Sequence, residues 1–402
     1  MQSSERNHKD FMVLLICDFI SSFGDCFMVT ALTIFRYKQS GSLLAVSLFP
    51  MIALLSKVAA FFVNAHVTFS FSFRTIFIMG ELLTGLFALA LFFAHNNVVF
   101  LVPIFAVFSL FFSLLETYRA EFLRAITANE QMTLRQSVSR AVNVAVVLAG
   151  SLCAGIVGDH TTASTMYLIT FSVYPVTFCI ISQLSRHTYP IKQQSEYKLL
   201  KKSILTFWKG ESSIIFIGSA GIVFIGGVAS LLTLSYIFTV LHASAFRYTM
   251  LMSALAVGGA LGSLLINIPN IKVNLPVLSF VGMLLNGALL FLILCKPGFY
   301  ALLLILTASG MISAFTTTHY AIMLFTRYTQ EAIRSKFNLM SIFLSTAEAA
   351  SKPVAGLSEQ VCGNTMSFML CGVGFVLLAL FSRSKNNRPV LQTEVSEHRI
   401  SR

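Results

Sequence analysis

The sequence predicts an all-α integral membrane protein with twelve transmembrane helices in two pseudo-symmetric halves of six. Three observations lead to this fold class. The 402 residues are 56% hydrophobic and only 11% charged, with a mean hydropathy of +0.80, whereas a soluble domain carries about 25% charged residues. Twelve apolar segments of bilayer-spanning length follow one another with short breaks. The second half of the chain also repeats a pattern of the first.

The predicted spans are separated by residues that are typical of turns. Breaks such as Gln39-Ser40-Gly41 and Lys296-Pro297-Gly298 contain the polar residues, glycine and proline that end helices. The first span is too long for the apolar core of a signal peptide, so we expect it to be retained. In chain order the spans cover residues 11–35, 43–67, 75–94, 98–118, 141–158, 163–184, 213–240, 245–267, 276–295, 299–325, 337–361 and 365–382.

The distribution of basic residues predicts the orientation. Of the 28 Lys and Arg, 22 fall in segments on the same side as the N-terminus, four fall on the opposite side, and two lie inside spans. Cytoplasmic loops of membrane proteins carry the excess of Lys and Arg. We therefore expect a multi-pass membrane protein with both termini in the cytoplasm.

An internal repeat predicts the domain organisation. Thr117-Tyr118 followed by Gly155 resembles His319-Tyr320 followed by Gly356, at an offset of about 201 residues. We expect an N-terminal six-helix half at 1–184, a basic cytoplasmic linker at 185–212, a C-terminal half at 213–382 and a polar cytoplasmic tail at 383–402.

Several function classes are disfavoured by composition and motifs. The net charge of +12 is spread over loops without an aromatic–basic stripe, which argues against nucleic acid. The seven cysteines form no CxxC or Cys/His cluster, so no metal or cofactor is expected. No GxxxxGK[ST] loop for ATP is present. No clustered catalytic residues indicate an enzyme, and a non-transporting membrane receptor or enzyme stays as an alternative of another class.

Two lysines lie inside apolar spans, where a charge costs a few kcal/mol and usually faces a polar interior. Lys57 is near the middle of the second span, and Lys352 is in the eleventh. Each is a candidate for attracting an anionic substrate or for a buried ion pair. For Lys352 the alternative is local, because Glu348 stands four residues earlier on the same helix face.

Two carboxylates and a histidine are candidates for proton transfer. Asp18 and Asp25 are seven residues apart in the first span and therefore share a helix face. A carboxylate in a low-dielectric interior binds a proton more readily than in water. Packing or capping is the alternative for Asp25, and His319 is either a proton relay or a hydrogen-bonded packing residue.

Charged residues near the cytoplasmic span ends are candidates for a gate. Glu81 lies inward from Arg74 in the third span, and Glu116 lies three residues before Arg119 at the end of the fourth. We interpret these four as gate or salt-bridge residues rather than substrate ligands.

The chain resembles the major facilitator superfamily. Within that superfamily it is similar to the bacterial branch that holds the enterobactin exporter and macrolide-efflux proteins. The residues that carry the resemblance are Ser21-Ser22-Phe23-Gly24-Asp25, Gln39-Ser40-Gly41-Ser42 and Asn129-Glu130 with Ser137. The loop motif between the second and third spans departs from the superfamily pattern, with Asn64 and Thr68 at its Gly and Asp positions. The resemblance implies that spans 2 and 11 flank one seam between the halves, and that the protein lies in the bacterial inner membrane.

The leading interpretation is a proton-coupled secondary transporter that works by alternating access and exports a small hydrophilic or anionic compound such as a siderophore. Macrolide-type drug efflux is the alternative. The expected partners are a small-molecule substrate, protons and the lipid bilayer, and a monomer is expected.

Overall fold

The computed structural model describes residues 2–66, 72–94, 97–127, 132–184, 212–265, 275–327 and 330–386. The secondary structure of these residues is helical and consists of twelve long helices, as predicted. The predicted linker falls almost wholly outside the described residues, and so does the tail from residue 387 onward. The bounds of the helices are α1 Gln2–Ser40, α2 Leu43–His66, α3 Phe73–Ala94, α4 Val98–Ile126, α5 Met132–His160, α6 Ala163–Ile181, α7 Ser212–Ser235, α8 Ala245–Leu265, α9 Leu275–Leu292, α10 Phe299–Arg327, α11 Gln330–Cys362 and α12 Asn364–Asn386.

Two helices end in short irregular turns. A π-helical turn, Tyr236–Val240, follows α7, and a 3-10 turn, Ile293–Cys295, follows α9. Between α1 and α2, Gly41 adopts a φ of +62° and its N–H donates to the carbonyl of Tyr37 at 2.8 Å. A positive φ costs glycine little, so Gly41 suits the sharp reversal there.

Ten of the helices contain a segment long and apolar enough to cross a membrane. In α5 the apolar part is the shorter segment Val144–His160. The lower hydrophobicity of α11 has a structural cause, because one of its faces carries charged and small residues. The fold-class prediction of twelve transmembrane helices is confirmed.

The two halves have matching helix positions. Helix α4 begins at Val98 and α10 at Phe299, while α6 begins at Ala163 and α12 at Asn364. Both pairs are offset by 201 residues, the spacing of the sequence repeat. The structure thus extends the repeat from a few matching residues to the helix plan of each half.

Each half has its own helix contacts, and the halves meet along two seams. In the first half α1 packs against α5 and α6, and α3 packs against α6 and α4. In the second half α8 packs against α10, α9 against α12, and α7 against α11. The seams are formed by α2 with α11 and by α5 with α8. Because the number of helices is even, both chain ends lie at the same end of the bundle. We call the opposite end of the bundle the far end.

Candidate functional site

A buried charge cluster lies inside the first half. The Arg119 guanidinium on α4 is 3.1 Å from Oε1 of Glu81 on α3 and 3.4 Å from Oδ1 of Asp18 on α1. The Glu81 side chain is 4% exposed, and those of Asp18 and Arg119 are about one-quarter exposed. One cation thus serves two carboxylates on two different helices.

Helix α6 supplies the neutral donors of this cluster. The Thr177 hydroxyl donates to Oε2 of Glu81 at 2.7 Å, and the Tyr174 hydroxyl donates to Oδ1 of Asp25 at 2.8 Å. The two donors are three residues apart and therefore share one face of α6. We call Asp18, Asp25, Glu81, Arg119, Tyr174 and Thr177 the acid–arginine cluster.

The charges of the acid–arginine cluster do not balance when all its carboxyl groups are ionised. The cluster holds three carboxyl groups and one guanidinium, whose ion pairs among the described residues are with Asp18 and Glu81. Buried charge without a partner is costly in a low-dielectric interior. The arrangement can therefore hold a proton on one carboxyl group and exchange it as the surroundings change.

Lys352 is held by the neighbouring helix rather than by a carboxylate. Its ammonium donates to the hydroxyl of Ser230 at 2.9 Å and to the carbonyl of Gly227 at 3.2 Å, both on α7. Among the described residues, no carboxylate forms an ion pair with it. Glu348, four residues earlier on the same helix, interacts electrostatically with Lys352 without a direct ion pair, because the lysine side chain reaches across to α7.

The position of Lys352 on α11 points it toward the space between the halves. Gly356 of α11 contacts α2, and Ser351 contacts Gly227 of α7. With about 100° of rotation per residue, Lys352 falls between these two contact directions. The opposite face of α11 exposes Leu357, which suits contact with lipid.

Lys57 occupies the corresponding inner face of α2. Its side chain is exposed, as are Leu48 and Leu55 on the same helix. Leu48 lies nine residues before Lys57, which is about half a turn away around the helix axis. Because the face of α2 with Leu48 and Leu55 suits contact with lipid, the opposite face with Lys57 points toward the interior. We call Lys57 and Lys352 the seam lysines, because α2 and α11 form one seam.

The candidate residues therefore separate into two places instead of one. The first-span carboxylates find their partners inside the first half, Asp18 in Arg119 and Asp25 in Tyr174. Glu348 is exposed on α11 near the seam lysines. The residues predicted for substrate attraction and those predicted for proton transfer thus lie in different places in this chain.

The remaining predicted residues differ in their surroundings and partners in the structure. His319 on α10 is 1% exposed, and within the part of the chain that the structure describes its Nε2 has no hydrogen-bond partner. The ion pair of Glu81 is with Arg119 on α4 and not with Arg74 at the start of its own helix. Glu116 is in α4, and its side chain lies outside the described residues.

Sequence reasoning missed the contribution of α6. Tyr174 and Thr177 stand in an apolar segment, and the signal that reveals them is two hydroxyl residues at a spacing of three. It also missed that Arg119 acts across helices, because the nearer acidic residue in the chain is Glu116. Long-range ion pairs leave no local pattern in a single sequence.

No family model and no curated protein sequence matches this chain. Several solved structures match it over nearly their whole length. The nucleoside transporter NupG matches with a TM-score of 0.69 at 15% identity, covering 94% of this chain and 99% of that one.

Two further solved structures give the same result. The peptide transporter POT matches with a TM-score of 0.72 at 12% identity, covering 94% of each chain. The D-xylose-proton symporter matches with a TM-score of 0.69 at 13% identity, covering 93% of this chain and 97% of that one. The chain has the major facilitator fold. At these identities the likeness establishes the architecture, so activity and substrate must be argued from the site.

Proposed function

We propose that the protein is a proton-coupled secondary transporter that works by alternating access and exports a small hydrophilic anion such as a siderophore. The observation that carries the proposal is the acid–arginine cluster, in which one guanidinium serves two of three carboxyl groups. The two halves supply the moving parts that alternating access needs. A solved protein of the same fold is a proton symporter.

The proposed setting follows the loop charges. With 22 of the 28 Lys and Arg on the side of the termini, that side would be the cytoplasm of a bacterial cell and the far end would face outward. The proposed transporter is a monomer in the inner membrane.

Asp18 is the carboxyl group that we expect to exchange the proton. Glu81 is held at both oxygens, by Arg119 at 3.1 Å and by Thr177 at 2.7 Å. Asp18 is 3.4 Å from the guanidinium, and its Oδ1 accepts no hydrogen bond among the described residues. A proton on Asp18 leaves a neutral pair of Arg119 and Glu81, while proton loss restores competition for the single cation.

Asp25 extends this route toward the membrane centre. It lies two helical turns beyond Asp18 on α1, is nearly buried, and accepts a hydrogen bond from Tyr174. A single neutral donor balances a buried carboxylate less well than a guanidinium does. Asp25 is therefore a second place where a proton is held.

The seam lysines support an anionic substrate. The Lys352 ammonium is held by a hydroxyl and a carbonyl, and among the described residues no carboxylate forms a direct ion pair with it. Lys57 lies on the inner face of the facing helix. Two cations on opposite sides of one seam attract a ligand with negative charge, such as a catecholate or carboxylate chelator.

The test uses the full-length protein in sealed vesicles with a pH-sensitive dye inside. An iron-free catecholate siderophore is added with an imposed proton gradient, and dye signal and siderophore movement are recorded together. Asp18→Asn is expected to remove proton movement, and Lys57→Ala or Lys352→Met to raise the siderophore concentration for half-maximal transport about tenfold, as for loss of a charged hydrogen bond. Lys296→Gln, an exposed loop lysine, is the matched control.

Two results would contradict the proposal. Wild-type proton movement in Asp18→Asn would remove Asp18 as the exchanging group. Equal transport of siderophore by wild type and both lysine variants would remove the anion site. Transport of a macrolide such as erythromycin with no movement of the siderophore would replace the substrate class by drug efflux.

A further inference from the structure

The two seams have equivalent points of closest approach toward the far end of the bundle. A Cβ atom on Gly155 of α5 would lie 3.0 Å from the Cα of Phe246 on α8 and would meet the hydroxyl of Thr249. A Cβ atom on Gly356 of α11 would lie 2.6 Å from the Cα of Leu44 on α2. The two glycines are 201 residues apart, the offset of the repeat. Neither seam leaves room for a methyl group.

A carboxylate joins the halves at the first seam. Asp159, near the end of α5, accepts a hydrogen bond from the N–H of Ala245 at 2.8 Å and another from the N–H of Phe246 at 3.0 Å. These residues begin α8, where backbone N–H groups lack partners within the helix and the helix dipole favours negative charge. Asp159 thus caps a helix that belongs to the other half.

The carboxyl group of Asp159 is ionised in this position. The residue lies just beyond the predicted span 141–158. Burial opposes its ionisation, but the N–H donors of Phe246 and Ala245 outweigh that effect and hold the pKa of Asp159 below its ordinary value. The cap is therefore an ionised carboxylate near neutral pH.

Among the described residues the second seam has no such charged cap: the position 201 residues after Asp159 is Gln360, and the acid beside it on α11 is Glu359. Tyr37 of α1 donates to the hydroxyl of Ser235 on α7 at 3.0 Å, and Ser235 in turn donates to Glu359 of α11. Glu359 is thus engaged within its own half. A cavity of about 460 Å³ lies beside it, with Ser42 at the start of α2 in its lining.

We propose that these contacts form the far-end gate, that Gly155 and Gly356 are its closure points, and that Asp159 is its charged latch. Opening the far end requires both seams to part, because each half moves as a unit. The hydrogen bonds of Asp159 exist only while the seam is closed. The proposal depends on the two-half architecture and is independent of the proton and substrate assignments.

The test measures backbone hydrogen–deuterium exchange in the full-length protein by mass spectrometry, in lipid nanodiscs. Asp159→Asn, which keeps the shape and removes the charge, is expected to raise exchange in the peptide 241–249 about tenfold. Gly356→Ala acts at the other seam and is expected to raise exchange in the same distant peptide. Gly226→Ala, whose new methyl would contact nothing within 4 Å, is the control.

Hydrogen–deuterium exchange in peptide 241–249 after the Gly356→Ala substitution distinguishes a gate from local packing. If Gly356→Ala raises exchange only in peptides around residues 42–46 and 352–360, the seams do not open together and the gate is overturned. If Asp159→Asn leaves peptide 241–249 as protected as in the wild type, Asp159 is no latch. Wild-type proton and siderophore transport in either variant bears on the proposed function and leaves this result unchanged.

Discussion

Replacing Arg119 by methionine is expected to destabilise the first half by several kcal/mol. The guanidinium is 3.1 Å from Glu81 and 3.4 Å from Asp18. At an effective dielectric constant of about 20, each such contact is worth about 5 kcal/mol before desolvation is subtracted. Removing one member of a buried pair costs about 3–5 kcal/mol, because the other charge stays buried.

The same argument predicts rescue by a second substitution. In Arg119→Met combined with Glu81→Met, the uncompensated carboxylate is gone and the space is filled by apolar side chains, an exchange that is often neutral. Asp18 remains, but it is about one-quarter exposed and is hydrated more easily. The double variant is therefore expected to regain at least half of the lost stability.

The assay is thermal unfolding of the purified protein in detergent, followed by the helical circular dichroism signal. A loss of 3–5 kcal/mol corresponds to a fall of about 10 °C in the unfolding midpoint for a half of this size. Arg247→Met is the control, since this exposed arginine stacks on the Phe299 ring and its loss costs about 1 kcal/mol or less. A double variant that unfolds as early as the single one would refute the assignment of the cost to Glu81.

Two other substitutions test features of the fold directly. Thr177→Val removes the hydroxyl that donates to Glu81 and is expected to lower the free energy of unfolding by about 1.5–3 kcal/mol. Thr177→Ser keeps a hydroxyl and is expected to retain the wild-type stability. Equal unfolding midpoints for the valine and serine variants would contradict this expectation. Gly258→Ala places a methyl against the carbonyl of Thr307, where α8 crosses α10, and should cost more than about 3 kcal/mol. Gly226→Ala, whose methyl group would lie in open space, should have the unfolding midpoint of the wild type. A wild-type midpoint for Gly258→Ala would show that α8 and α10 are not closely packed at this crossing.

The helix plan was predictable because its causes are local. Length of apolar segment, turn residues and the sorting of basic residues each act within about 30 residues of chain, and a single sequence contains them. The repeat offset of 201 was also visible. The packing role of Gly155 and Gly356 was not predictable, because the sequence alone does not show whether a helical glycine faces lipid or the backbone of another helix.

The partners of the charged residues were harder to predict for a physical reason. Neighbours at three or four residues suggested Glu348 for Lys352 and Glu116 for Arg119. In the structure Lys352 bonds to α7, more than 120 residues away in the chain, and Arg119 bonds to Glu81 on α3. A weak local pair contributes only a few tenths of a kcal/mol, so helix packing decides which partner a buried charge finds.

For the proposed transporter, the separation of the acid–arginine cluster from the seam lysines has a kinetic consequence. If a proton and an anion occupied the same charged group, each would displace the other, and raising the proton concentration would change the apparent affinity for substrate. With separate locations inside the first half and along the α2–α11 seam, proton and anion do not compete for one charged group, and their exchange has to be coupled through the conformations of the two halves. Acidification of the vesicle exterior is then expected to change the maximal transport rate while the half-saturating substrate concentration stays nearly constant.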